Sequence, residues 1–185
     1  EDLCQALWVL PGRNYQRDGG PGIVDILRLL KASDDPFTDQ LTFLKAQIAF
    51  WLLAAIDGHA KNFSVFLAPG GGFRLTPLYD VISAQPLIDK KQIRQIDLRL
   101  AMSVGDNRHY RIDTIRPRHF QQIERRAHLT VGSATDAMLQ IANDLPSAIE
   151  AADAAMPAGF PRALRRSIAK GALRRCRWIR DELSR

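Results

Sequence analysis

Asp57-Gly58-His59-Ala60-Lys61-Asn62-Phe63-Ser64, followed after a turn-rich break by Leu78-Tyr79-Asp80-Val81, is the stretch on which the reading of this chain turns. It sets an Asp, an Asn five residues later and a second Asp around one strand–turn–strand unit. Phosphoryl transfer needs that set: one carboxylate for the proton of an attacking hydroxyl, and an amide and a carboxylate oxygen for magnesium. The spacing alone leaves a plainer reading open. Asp57 also fits a surface carboxylate at a helix C-terminus, and Asn62 a turn residue.

Upstream, residues 38–56 read as a long buried helix. Leu41, Leu44, Ile48, Trp51, Leu52 and Ala55 form one stripe, which Phe43, Phe50 and Leu53 widen beyond a half-exposed face. Gly58 offers its C-terminal stop. Downstream, Phe63 to Leu67 and Phe73 to Thr76 are strand candidates joined by Ala-Pro-Gly-Gly-Gly, a hairpin signal. The helix would anchor the loop and the hairpin would fix the distance from Asp57 to Asp80. Elsewhere, residues 13–22 are turn-rich and Ile23 to Lys31 is helical in period. Residues 84–97 are ambiguous, and Val104 to Arg111 is polar enough for a loop. Helices are expected from Arg116 to about 127, over 133–155, and over about 162–183. The fold class is mainly α with a small β-hairpin (α+β).

The chain has 185 residues, 46% of them apolar and 25% charged, a mixture that fits one soluble globular domain. Its most apolar run, Ile48 to Ile56, is too short to span a membrane. The N-terminus lacks a signal-peptide pattern and an initiator Met, so a piece of a longer protein is one expectation. Cys4 and Cys176 read as free thiols of a cytosolic chain rather than as a bridge. Net charge is +6, and residues 162–185 contribute +7 of it, leaving −1 for the remainder. That basic helix fits either phosphate neutralisation on a nucleic acid or a solvated amphipathic helix with Leu164, Ile168, Leu173, Ile179 and Leu183 turned inward. The second reading is favoured. His109, His119 and His128 have no metal-like spacing with either cysteine. Trp51 and Phe50 are expected in the core, Trp8 and Trp178 at its rim. Ser64 and Ser83 are expected to be structural hydroxyls.

The longer strings carry a resemblance. Asp57-Gly-His-Ala-Lys-Asn-Phe-Ser64, Phe73-Arg-Leu-Thr-Pro-Leu-Tyr-Asp-Val-Ile-Ser83 and Asp18-Gly-Gly-Pro-Gly22 closely resemble the C-terminal half of HipA-type serine/threonine kinases. These are the toxins of bacterial HipA–HipB toxin–antitoxin systems. The likeness continues through Asp97-Leu-Arg-Leu-Ala-Met102 and Pro117-Arg-His-Phe120 and fades after about residue 130. It implies the helical C-lobe of a protein-kinase-like fold, one domain over 1–185, with a catalytic loop at 57–64 and a metal loop at 78–83.

By that resemblance, Asp57 matches the catalytic base, and Asn62 and Asp80 match the magnesium ligands. His59, Lys61, Asn62, Tyr79 and Asp80 match positions that approach ATP. It further implies a cytoplasmic enzyme whose protein substrate is an aminoacyl-tRNA synthetase, and a HipB-like antitoxin as partner. Arg125 and Arg126 match a region that touches operator DNA, through phosphates rather than bases. Relative to ordinary protein kinases, Asp80-Val-Ile-Ser replaces Asp-Phe-Gly, and His59 stands where a Lys often follows the catalytic Asp. Neither Gly19-Gly20-Pro21-Gly22 nor Gly70-Gly71-Gly72 precedes a strand Lys as a phosphate-covering loop does, so the N-lobe is expected to be absent from this chain. The alternative is a non-catalytic module that docks on the antitoxin and its DNA.

Overall fold

The computed structural model describes every residue except Pro11 and Arg185. Its axis is helix α3 (Pro36–Leu53). Asp35 caps it by accepting the Thr38 N–H at 3.1 Å, and Pro36 occupies the first turn, where its missing N–H costs nothing. Phe43, Leu44, Ile48, Phe50, Trp51 and Leu52 are all buried, because α3 packs between helices α2 (Ile23–Leu30), α6 (Ser133–Ala155) and α7 (Arg162–Leu183). The helix ends three residues earlier than its apolar pattern suggests. Ala54, at φ 54°, turns the chain in the left-handed region, so Gly58 is not the stop. Gly58 is needed for a different reason: a Cβ there would lie 2.0 Å from the Phe50 ring.

Trp51 is fully buried, its ring 5.5 Å from both Phe120 and Trp178, and its indole N–H donates to the Ile112 carbonyl at 3.1 Å. Trp178 therefore packs as expected. Trp8 does not: it is 96% exposed, beyond a short helix α1 (Leu3–Ala6) that buries Leu3 and Cys4 instead. Cys4 and Cys176 are both free and buried.

Two hairpins decorate the helices. In the first, β1 (Val65–Leu67) and β2 (Phe73–Leu75) run antiparallel with Val65 opposite Leu75 and Leu67 opposite Phe73. The chain start lies along its edge, where the Val65 N–H donates to the Glu1 carbonyl at 2.8 Å. Helix α4 (Gln85–Asp89) and a short turn of 3-10 helix at Gln95–Asp97 fill the ambiguous segment. The second hairpin, β3 (Arg99–Val104) with β4 (His109–Arg111), stands where a loop is predicted over Val104 to Arg111. His-Tyr-Arg carries no apolar alternation, and pairing with the buried β3 makes it a strand; Gly105 at φ 82° and Arg108 at φ 51° supply the turn.

Helix α5 (Pro117–Ala127) leads into α6 through a buried carboxylate. Glu124 accepts the Gly132 N–H at 3.1 Å and the Ala134 N–H at 2.7 Å, satisfying the exposed end of α6. On α7 the buried residues include Ala172, Cys176 and Ile179, while the arginines are mostly exposed, as a solvated amphipathic helix requires. Arg175 is the exception: it is buried, and its Nε donates to the Leu52 carbonyl at 2.6 Å, at the negative end of α3. No helix among the described residues is long and apolar enough to cross a membrane.

His119 ties stability to pH. Its ring is buried, stacked on His109 at 3.8 Å, and its Nδ1 accepts the Arg116 N–H at 3.2 Å. Burial, reinforced by His109, lowers its pKa to about 4. The unfolded side chain titrates near 6.5, so between those values only the unfolded state binds the proton. The associated stability is present above pH ~6.5 and is lost as pH falls to about 4, by roughly 3 kcal/mol. Urea midpoints across that range should fall in the wild-type chain and stay nearly flat in His119→Asn; parallel curves would show that another group is responsible.

Candidate active site

Both loops hang from the C-terminal end of α3. After the left-handed turn at Ala54, the chain passes through the exposed Asp57 and enters a turn of 3-10 helix, Ala60–Asn62. Asn62 is buried, and both ends of its amide are hydrogen-bonded. Its Oδ1 accepts the His59 N–H at 3.1 Å, and its Nδ2 donates to Asp80 Oδ2 at 2.7 Å. Asp80 is exposed and sits at φ 56°, a left-handed conformation that costs a non-glycine residue on the order of 1 kcal/mol. After Asp80 the chain is fastened back to α3: Ser83 Oγ donates to the Leu53 carbonyl at 2.5 Å, and the Ala84 N–H to the Ala54 carbonyl at 2.9 Å.

The hairpin sets the span between the loops, and one buried acid holds the hairpin. Asp39, on α3, accepts Arg74 Nε at 3.1 Å and the Leu75 N–H at 3.2 Å. Tyr79 closes the gap from the other side. Its Oη donates to the Lys61 carbonyl at 2.9 Å, so at 2.6 Å from Ser64 Oγ it accepts the serine proton. Ser64 and Ser83 thus act as structural hydroxyls, as their sequence context suggests.

Asp57 has a partner that the motif does not reveal. The Tyr15 phenol, in the turn-rich segment ahead of α2, donates to Asp57 Oδ1. The Tyr15 ring also meets His59 edge-on, with centroids 5.0 Å apart. Its pKa is pushed up to about 12, first by the hydrogen bond to Asp57 and then by burial, so the phenol remains a donor at neutral pH. Asp57, Tyr15, His59, Asn62 and Asp80 therefore form one connected constellation. Lys61 and Tyr79 border it through their backbone and hydroxyl contacts. Arg125 and Arg126 are exposed in the last turn of α5, and Arg126 Nη1 donates to the Gly105 carbonyl at 3.3 Å, in the turn of the second hairpin.

A site of this composition suits a hard divalent cation. Asp80 keeps a carboxylate oxygen beyond the one that Asn62 engages, and the Asn62 amide oxygen has a second lone pair beside the one taken by His59.

Comparison with known proteins places the architecture. The profile of the HipA-like C-terminal domain matches residues 1–152. The chain belongs to that family. Among curated proteins, this HipA-like domain is 38% identical over 109 residues to "Putative kinase Y4mE" of Sinorhizobium fredii, a match covering 57% of this chain and 26% of the relative. It is 29% identical over 116 residues to the serine/threonine-protein kinase toxin HipA of Shewanella oneidensis, covering 57% of this chain and 25% of that protein. The HipA-like domain also shares its fold with a chain of the solved Shewanella oneidensis complex of HipA, HipB and operator DNA. That likeness has a TM-score of 0.80 at 20% identity, over 97% of this chain and 45% of the other. The match spans about a quarter of the curated relatives' length. The shared fold is the mostly helical form with two small hairpins described above.

Proposed function

We propose that this domain supplies the catalytic half of a cytoplasmic HipA-type kinase, which transfers the γ-phosphoryl group of ATP to Ser or Thr of a protein, by family resemblance an aminoacyl-tRNA synthetase. The observation that carries the reading is the 2.7 Å hydrogen bond from Asn62 to Asp80, which joins two loops 18 residues apart beside an exposed Asp57. Asp57 accepts the proton of the substrate hydroxyl. Asn62 and Asp80 hold magnesium, which when bound neutralises charge on the phosphates. His59, Lys61 and Tyr79 border the nucleotide. The protein's own work is mainly placement: α3 and the hairpin fix where the base stands relative to the metal ligands. Label transfer from radiolabelled ATP to serine and threonine by the full-length protein tests this, with Asp57→Ala as the decisive variant. Undiminished transfer by that variant would remove the reading.

A second reading has its own support in the likeness to a chain of a HipA–HipB–operator complex. Here the domain docks on a HipB-like antitoxin, with Arg125 and Arg126 on DNA phosphates. Such contacts position without reading sequence, and each adds about one to the salt slope of binding. In filter binding to an antitoxin–operator complex, Arg125→Ala with Arg126→Ala should weaken affinity equally across operator sequences and flatten the dependence on salt. An unchanged slope would dispose of this surface.

A further inference from the structure

The Asp18-Gly-Gly-Pro-Gly22 turn is unusually tightly built, and the chemistry so far gives it no purpose. A Cβ at Gly20 would lie 2.3 Å from the Arg13 carbonyl oxygen, and one at Gly22 would lie 2.2 Å from the Gln16 amide nitrogen. The segment is also pinned at a distance: Gln16 Oε1 accepts both the backbone N–H and the hydroxyl of Ser103, on β3, at 2.7 and 2.8 Å. Within the turn, the Tyr15 carbonyl accepts the N–H groups of Asp18 at 3.0 Å and Gly20 at 2.9 Å. The Arg17 guanidinium lies 5.1 Å from the Tyr15 ring centroid, while the ring edge meets His59. A segment whose composition reads as turn-rich is thus a firmly held mount, and what it carries is one phenol aimed at Asp57.

We infer that Tyr15 is the positioning residue for Asp57: its hydroxyl fixes one carboxylate oxygen and so presents the other to the substrate alcohol. This rests on the reading of Asp57 as the base. The physical case is direct. An exposed Asp side chain rotates freely, and a base that must lie within hydrogen-bond reach of the proton loses rate for every misdirected rotamer. A neutral donor on Oδ1 removes that freedom without taking up the second oxygen. The Asp57–Tyr15 pair spans 42 residues of sequence, which is why the motif around Asp57 does not contain it.

The test uses Tyr15→Phe in the full-length protein, with radiolabelled magnesium-ATP and a mixed serine/threonine peptide acceptor. The maximal rate should fall about 10- to 100-fold, with the KM for ATP and the thermal midpoint within twofold and a few degrees of wild type. Ring-labelled tyrosine NMR reads the link without turnover. Near pH ~10 the Tyr15 phenol should remain protonated in wild type and ionise in Asp57→Ala, as a phenol of ordinary pKa does. A wild-type or increased rate in Tyr15→Phe, or a loss confined to KM, overturns the inference while Asp57→Ala stays inactive. So does a Tyr15 signal that ignores the Asp57 substitution. Full activity in Asp57→Ala fails the kinase reading itself and takes the positioning role with it.

Discussion

Replacing Asp57 by Ala should lower the phosphoryl-transfer rate of the full-length protein by about 100- to 10,000-fold, the range that a positioned general base contributes. Folding should barely change, since Asp57 is exposed and its recorded side-chain contact is the Tyr15 hydroxyl. A mutation confined to an exposed carboxylate usually falls within ~0.5 kcal/mol of neutral. Asp57→Asn sharpens the result. Its amide oxygen still accepts from Tyr15, so geometry is preserved while the basic oxygen is lost. Both variants should be equally slow and should bind magnesium-ATP like wild type. An Asn variant with wild-type turnover would show that Asp57 acts through shape rather than as a base.

The largest stability effect is expected at Trp51. Truncation to Ala removes a fully buried indole packed on Phe120 and Trp178 and should cost about 3–5 kcal/mol. It also strands the Ile112 carbonyl, adding roughly 1 kcal/mol or more. Domains of this size are stable by about 5–15 kcal/mol, so Trp51→Ala should remove a large part of the total. Urea unfolding followed by circular dichroism reads it directly. Trp51→Phe refills most of the space but not the hydrogen bond, and should fall between the two. An Ala variant within ~1 kcal/mol of wild type would mean that the helices repack around the gap.

Long helices announce themselves, because an apolar period needs several turns to emerge. The three C-terminal helices and α2 lie within a residue or so of their expected bounds. The class, mainly α with a small strand component, follows from them. Short elements fail for the opposite reason. His109-Tyr-Arg111 is too brief and too polar to show a period, and only its pairing with the buried β3 gives it a structure. The sequence points to Gly58 as the end of α3 because glycine is the commonest left-handed residue, whereas Ala54 takes that conformation within a surrounding core. Trp8 shows that bulk alone does not ensure burial.

At the candidate site, the motif residues lie close together in sequence. Asp57 to Asp80 is a single excursion of chain. What supports them is remote: Tyr15 reaches Asp57 across 42 positions, Asp39 reaches Leu75 across 36, and Ser83 reaches Leu53 across 30. No periodicity encodes such pairings. Asp39 stands outside the apolar stripe of α3, and its burial comes from the hairpin that it holds.

The two sulfhydryls turn this arrangement into something measurable. One lies in α1, against the end of the 57–64 loop, where the Leu3 N–H donates to the Phe63 carbonyl; the other lies in α7 among the long helices. Each is shielded from reagents in the native state, so its alkylation rate reports how often its own surroundings come apart. The molecule thus carries two clocks, one beside the candidate site and one in the scaffold, and comparing them would tell whether the loops of that site breathe independently of the bundle that holds them.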